Sequence, residues 1–324
     1  MVSSRLVVII AYPGLQPLDV VGPHEVFAGA TRVLHGSGRG GGYRLSLVSR
    51  TPQEVVTESG LRLGADPLPA PGRRLDTLLI PGGLGVQAAR SDPVLVDWIR
   101  RAAGCARRTA AVCSGAFLAA EAGLLDGRTV TTHWARAALL AADFPAVRVD
   151  ADPIYLRDGP VWTSAGVTAG IDLALAMVGA DYGAEVAQTV ARWLVMFLHR
   201  PGGQTQFAAP VWTPRAEHGG IRAAQAHIEA DPGGDHRVPA LARVAAMSPR
   251  HFARLFTEEV GESPGRYVER VRIEAARQEL ETTTDTLDVV ARRCGLGTAE
   301  TLRRTMHRRH GVSPDAYRRR FRVA

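Results

Sequence analysis

The chain has 324 residues, 39 basic against 32 acidic side chains and a formal net charge of +7. That length predicts two domains. No apolar run approaches the roughly 20 residues that span a bilayer. The three cysteines, Cys105, Cys113 and Cys294, make no disulfide framework, and the histidines show no metal-ligand spacing. These features predict a reduced, cytoplasmic protein with neither membrane segment nor metal nor cofactor.

In chain order, the first two thirds alternate between strand-like and helix-like runs. Apolar runs at 6–11, 43–48, 75–80, 109–112 and 129–132 read as strands. The first is followed by Tyr-Pro-Gly and Asp19 with no cleavage site, so it reads as a strand and not as a signal peptide. Helical stretches at 20–34, 93–103 and 116–122 lie between the strands. The alternation predicts a parallel sheet with helices on both faces. Cys113 stands where one strand ends, and Gly115 leads into the next helix. Such an elbow holds a side chain at the carboxyl edge of a sheet, where α/β folds bind ligands. A helix N-terminus there favours a thiolate. His133 ends the last of these strands, Pro81-Gly82-Gly83 can present backbone amides to an anion, and Asp19 follows the first strand.

Breakers then crowd together. Pro201-Gly202-Gly203, Pro210, Pro214 and Gly219-Gly220 predict a junction over 201–220 between a domain at 1–200 and another at 221–324.

The second domain contains a repeat. Gly261-Glu262-Ser263-Pro264-Gly265-Arg266-Tyr267 returns as Gly311-Val312-Ser313-Pro314-Asp315-Ala316-Tyr317, and both read G-x-S-P-x-x-Y. A duplicated unit predicts two similar helical modules. Serine is a strong N-cap and proline suits the first helical position, so Ser248-Pro249, Ser263-Pro264 and Ser313-Pro314 each mark a helix start. The first module reads as a short helix around Leu241, Ala242 and Ala245, a turn at Ala246-Met247, and a second helix over 249–260. The second module repeats this at 287–293, Gly295-Leu296-Gly297 and 298–310. Each is a helix-turn-helix whose second helix can enter the DNA major groove. A helix over 264–281 connects them. Arg250, His251 and Arg254 lie off the apolar face of the first recognition helix, and Arg303, Arg304 and His307 off that of the second. Residues 292–322 carry 10 arginines against 2 acids, an electrostatic footprint for phosphates. The chain contains no lysine, so part of this enrichment is compositional habit.

The stretch Ala242–Phe256 and the two G-x-S-P-x-x-Y elements resemble the AraC/XylS family of transcription regulators over about 221–321. Gly295-Leu296, where members have Gly-Phe, and Leu302 and Met306, where they have Phe, make the second module a less typical reader. The first domain resembles ThiJ/PfpI, class I glutamine amidotransferase-like proteins. The carriers are Leu18-Asp19-Val20-Val21-Gly22-Pro23, Ile80-Pro81-Gly82-Gly83, Val112-Cys113-Ser114-Gly115, Thr131-Thr132-His133-Trp134, Thr163-Ser164-Ala165-Gly166 and Gly202-Gly203-Gln204. Together they are similar to GlxA-type regulators, which join the two. The resemblance implies a flavodoxin-like α/β domain followed by an all-α domain with two helix-turn-helix modules. It also implies a homodimer made by the first domain, with double-stranded DNA bound across two successive major grooves per protomer. RNA polymerase stands as a further candidate partner. Asp19, Gly83, Cys113, Ser114 and His133 are the implied ligand-binding residues, with amines, betaines or amino acids as possible effectors.

Three readings of Cys113 stay open: a ligand pocket, a structural core cysteine, or a nucleophile with Asp19 beside it and Gly83 as oxyanion donor. Fusion to a DNA-binding module favours the pocket, because a sensor need only bind. The expected function is therefore a sequence-specific DNA-binding regulator controlled by a metabolite. The alternative is a cysteine-dependent amidase or hydratase carrying a regulatory DNA-binding domain.

Overall fold

The structure, a computed structural model, describes residues 4–51, 53–70, 72, 74–196, 203–204 and 216–321, the side chain of residue 320 excepted. Pro201, Gly202, Pro210 and Pro214, read as junction residues, lie outside these, as does Arg322. The chain divides into two compact units, Met1–Thr205 and Gln206–Ala324.

The first unit runs β1 (Arg5–Ala11), α1 (Pro17–Gly36), β2 (Tyr43–Ser49), β3 (Gln53–Val56), β4 (Arg62–Pro67), β5 (Leu75–Ile80), α2 (Val86–Arg90), α3 (Pro93–Gly104), β6 (Ala106–Val112), α4 (Gly115–Glu121) and β7 (Thr129–Val130). It continues through α5 (Ala137–Asp143), β8 (Arg148–Val149), β9 (Tyr155–Asp158), β10 (Val161–Ser164), α6 (Ala169–Tyr182) and α7 (Ala184–Trp193). Eight strands form one sheet in the order β3-β4-β2-β1-β5-β6-β10-β9. The six inner strands are parallel, and the edge strands β3 and β9 run antiparallel. Val7, Val8, Ile9 and Ile10 are consecutive and all buried, the mark of a strand covered on both faces. From the centre, β1 steps through α1 to β2 in one direction, and β5 steps through α3 to β6 in the other. Right-handed crossovers therefore put α1 and α3 on opposite faces.

One expected strand is corrected. Residues 129–132 do not enter the main sheet; only Thr129–Val130 is extended, and it pairs with β8 in a separate two-stranded sheet. The place beside β6 belongs to β10, whose residues are all buried. Thr131 and Thr132 spend their polar groups otherwise. The Thr131 amide donates to Thr163 Oγ1 at 2.9 Å, and Thr132 Oγ1 donates to the carbonyl of Cys113 at 2.7 Å.

The second unit is helical: α8 (Gly219–Ala230), α9 (Val238–Val244), α10 (Pro249–Val260), α11 (Pro264–Thr282), α12 (Leu287–Arg293), α13 (Ala299–His310) and α14 (Pro314–Phe321). Ser248 caps α10 by accepting the His251 amide, and Gly261 ends it in the left-handed conformation at φ 78°. Thr298 and Gly311 do the same for α13. Ser263 stands at the N-cap of α11, but its side chain makes no capping bond. Two cores result. Ile221, Ile228, Leu241, Phe252, Phe256 and Tyr267 fill the first. Ile273, Leu280, Val290, Leu302, Met306 and Tyr317 fill the second.

Candidate effector site and DNA interface

The turn between β6 and α4 is strained. Cys113 has φ 57°, a conformation a side-chain-bearing residue adopts only where its surroundings impose it. Its amide donates to the Ser164 carbonyl at 3.0 Å, which ties the elbow to the end of β10. Gly166 closes over it: a Cβ there would lie 2.2 Å from Cys113 Cβ, at a φ of +103°.

Asp19, in the first turn of α1, is fully buried. Its Oδ2 accepts the Gly82 amide at 2.9 Å and its Oδ1 the Val167 amide at 2.7 Å. Burial pushes its carboxyl up to about 7, although the Gly82 and Val167 amides pull the other way; Glu58 adds to the rise. Burial also pushes the Cys113 thiol up to about 12, with Asp19 reinforcing it and the amide and hydroxyl of Ser114 opposing it. The sulfur is therefore a protonated thiol near neutral pH, and the expected thiolate at the helix N-terminus does not form. α4 is short and the nearest charges are carboxylates.

Ser114 Oγ accepts the Gly83 amide at 3.0 Å. The Leu84 amide goes to Glu58 Oε2 at 2.8 Å, and Gln16 Nε2 donates to Glu58 Oε1 at 2.6 Å. Thus the amides of Gly82, Gly83 and Leu84 all meet protein acceptors, and an anion would have to displace one. His133 stands apart from this arrangement. Its Nδ1 accepts the Ala135 amide at 3.3 Å, its ring packs on Trp134 with centroids 5.2 Å apart, and among the described residues it makes no hydrogen bond to Cys113. Burial and Arg136 lower its pKa.

One participant escapes the sequence, and the bounds expected for the junction misplace another. Glu58 sits in the turn between β3 and β4, a polar Thr-Glu-Ser-Gly run with no periodicity to mark it. Gln204 falls inside the expected junction, although the family resemblance counts Gly202-Gly203-Gln204 with the first domain; it is buried in the first unit. Its Oε1 accepts the Trp134 amide at 2.9 Å, and its Nε2 donates to Thr131 Oγ1, the Thr132 carbonyl and the Pro153 carbonyl at 2.9–3.0 Å. It anchors the loop that carries His133. Among the described residues, no group of three or more His, Cys, Asp or Glu is placed to hold a metal ion. None of the helices searched is long and apolar enough to cross a membrane.

In the second unit, α9 and α10 enclose a turn in which Ala246 adopts φ 54°, and α12 and α13 enclose one with Gly295 at 71° and Gly297 at 79°. Arg250, His251 and Arg254 are exposed on α10, as are Arg303, Arg304 and His307 on α13. Arg254 is partly occupied, donating to Glu258 at 3.2 Å and lying 3.3 Å from His251 Nδ1. Arg303 stands 3.8 Å from Glu300. These exposed ion pairs are worth little and yield readily to a phosphate or a guanine edge.

A flavodoxin-like sheet with an elbow cysteine, followed by paired helix-turn-helix modules, defines a DNA-binding transcription regulator with an α/β first domain. Residues 4–180 match the DJ-1/PfpI family and residues 241–320 a helix-turn-helix domain. The chain is similar to the HTH-type transcriptional regulator Rv1931c of Mycobacterium tuberculosis, 41% identical over 78% of this chain and 97% of the relative. It is also similar to the HTH-type transcriptional regulator GlxA of Rhizobium meliloti, 29% identical over 82% of each chain. Isonitrile hydratase of Pseudomonas putida is 34% identical over 56% of this chain and 74% of its own. Among solved structures, a ThiJ/PfpI family protein from Pseudomonas syringae superposes with a TM-score of 0.53 at 26% identity, covering 79% of this chain and 91% of that one. The protein belongs to the DJ-1/PfpI family, in its GlxA-type branch of HTH-type transcriptional regulators.

Proposed function

We propose that this regulator works in the cytoplasm as a homodimer joined through its first domain. A site at the Cys113 elbow binds a small nitrogenous metabolite, and occupancy shifts the dimer between arrangements that do and do not fit an operator. Asp19, Gly83, Cys113 and Ser114 build that site, and His133 reaches it from the neighbouring loop that Gln204 anchors. Arg250, His251, Arg254, Arg303, Arg304 and His307 face the duplex, with one protomer reading two successive major grooves. The observation that carries the sensing role is the state of Cys113: a thiol held near 12 beside amides already bonded within the protein. Such a group recognises better than it attacks, because the thiolate is the nucleophile. Sensing then consists of differential affinity between two dimer arrangements.

A second reading has one observation in its favour. Asp19 near 7 beside a cysteine is poised for proton transfer, in a domain that resembles isonitrile hydratase. Cys113→Ala separates the readings. A sensor loses its response to candidate amines, betaines or amino acids while effector-free operator binding is kept. A structural cysteine loses melting temperature and nothing else. An enzyme loses product detected by mass spectrometry, and turnover dependent on Cys113 at a physiological rate would overturn the sensor.

A further inference from the structure

The connecting helix α11 changes core along its length. Tyr267 and Val268 belong to the first module's core, and Ile273, Ala276 and Leu280 to the second's. Arg272 stands at the changeover. Its Nε donates to the Pro232 carbonyl and its Nη2 to the Gly234 carbonyl, each at 2.9 Å, and both carbonyls lie in the loop between α8 and α9 of the first module. On the same guanidinium rests the turn of the second helix-turn-helix. Gly295 sits there at φ +71°, and a Cβ on it would lie 2.7 Å from Arg272 Nε and 3.0 Å from the Pro232 carbonyl oxygen. The loop also touches the second module directly, since a Cβ on Gly233 would lie 2.5 Å from the Arg293 carbonyl oxygen. A second strut begins one turn earlier on α11. Glu269 Oε1 accepts from Arg308 at 2.5 Å, and its Oε2 accepts from Arg309 at 3.0 and 2.7 Å, both arginines being at the end of α13.

We propose that Arg272, clamped between the Pro232 and Gly234 carbonyls and the Gly295 turn and assisted by Glu269, is the positioning residue that fixes the two recognition helices relative to each other. It thereby sets the spacing of the two half-sites that one protomer accepts. The inference rests on the reading that α10 and α13 occupy successive major grooves.

A helix shared by two cores resists bending, but each module can still pivot about it. Pivoting requires the first module's loop to leave the second module's turn. Arg272 bonds to one and packs against the other, so it opposes that motion directly. Its planar fork meets two carbonyls at once, which a lysine ammonium on a single flexible stem does less well. On DNA the consequence is steep. One inserted base pair moves a half-site by about 3.4 Å and turns it by roughly 35°. A locked pair of helices cannot follow.

The test uses the full-length protein and a duplex that the wild type selects from a random library. Derivatives of that duplex carry one or two base pairs inserted or removed between the half-sites, and a further duplex keeps the first half-site alone. The wild type should lose about 100-fold in affinity on a single insertion, because the second module disengages. Arg272→Ala should shrink that penalty to below about tenfold while binding the single half-site as the wild type does. Arg272→Lys should fall between them. If Arg272→Ala does not fold, Arg272→Lys and Glu269→Gln carry the test through the same ratio. An even loss of affinity on every duplex, with the spacing ratio kept, is what mere destabilisation produces and would overturn the proposal. A wild type indifferent to spacing would overturn the two-groove reading, and the spacing role of Arg272 with it.

Discussion

Tyr267 donates its hydroxyl proton to Glu229 Oε1 at 2.6 Å, and fifty residues later Tyr317 donates to Glu281 in the same way. The correspondence extends one helical turn further. Gln225 bonds the Tyr267 hydroxyl, and Arg277 donates to that of Tyr317 at 3.0 Å. The repeated tyrosine of G-x-S-P-x-x-Y is thus the pin that ties each module's last helix start to the helix that opens the module. The duplication is one of tertiary structure as well as of sequence.

The two pins differ in charge, which makes them unequal. Tyr267→Phe takes the phenol donor from the Glu229 carboxylate and a neutral partner from Gln225, and should cost about 1.5–3 kcal/mol. Tyr317→Phe takes the same donor from Glu281 and also an acceptor from the buried guanidinium of Arg277, a second bond to a charged group, so its cost should be the larger. Urea unfolding of the two variants ranks them, and a larger loss for Tyr267→Phe would contradict the assignment.

Asp19 should make the first domain lose stability as pH rises. Its folded pKa near 7 lies above the ordinary carboxylate value of 3.8, so the folded state keeps a proton that the unfolded chain has released. Stability is full below about 4, falls between about 4 and 7 and is level above, at about 1.4 kcal/mol per unit. Asp19→Asn should flatten this slope, at the expense of one amide acceptor. A wild type whose melting temperature climbs from pH 5 to 7, unless Asp19→Asn climbs more steeply, would show that the buried carboxyl is not proton-bearing.

Cys113 should alkylate slowly. With the thiol near 12, iodoacetamide labelling followed residue by residue in the mass spectrometer should stay low through neutral pH and rise only in strong alkali. A labelling midpoint below pH 8 would mean an activated thiolate and would favour catalysis.

Gly166→Ala tests the enclosure of the elbow. A methyl 2.2 Å from Cys113 Cβ, on a backbone at φ +103°, must push β10 and the elbow apart. The cost should be about 2–4 kcal/mol, and the effector response should vanish with it. A fully stable variant would mean that the elbow is looser than drawn.

The sequence and the structure agree most closely where local chemistry decides conformation. Ser248-Pro249 and Gly261 bound α10 because capping and the left-handed turn act within a few residues. The elbow was visible because a strand, a small residue and a helix follow in direct succession. The rest depended on distant partners. The edge strand β3 and its neighbour β4 are exposed along most of their length, so no apolar period marks them or the Glu58 between them. Gln204 lies among prolines and glycines that read as a linker, and although the family resemblance counts Gly202-Gly203-Gln204 with the first domain, its bonds to residues more than fifty positions earlier are what give it a place there. Residues 129–132 read as a sheet strand because nothing local says that Thr132 will instead bond the Cys113 carbonyl.

Footprinting of the full-length protein on its selected operator, beside the Arg250→Ala/Arg254→Ala double variant, tests the central claim most directly. Protection should cover two successive major grooves on one face of the duplex for each protomer. The double variant should lose about 1–3 kcal/mol for each arginine that contacts a base, with protection of the first groove fading and its sequence preference relaxed. Unchanged affinity and an unchanged footprint in the double variant would contradict the account.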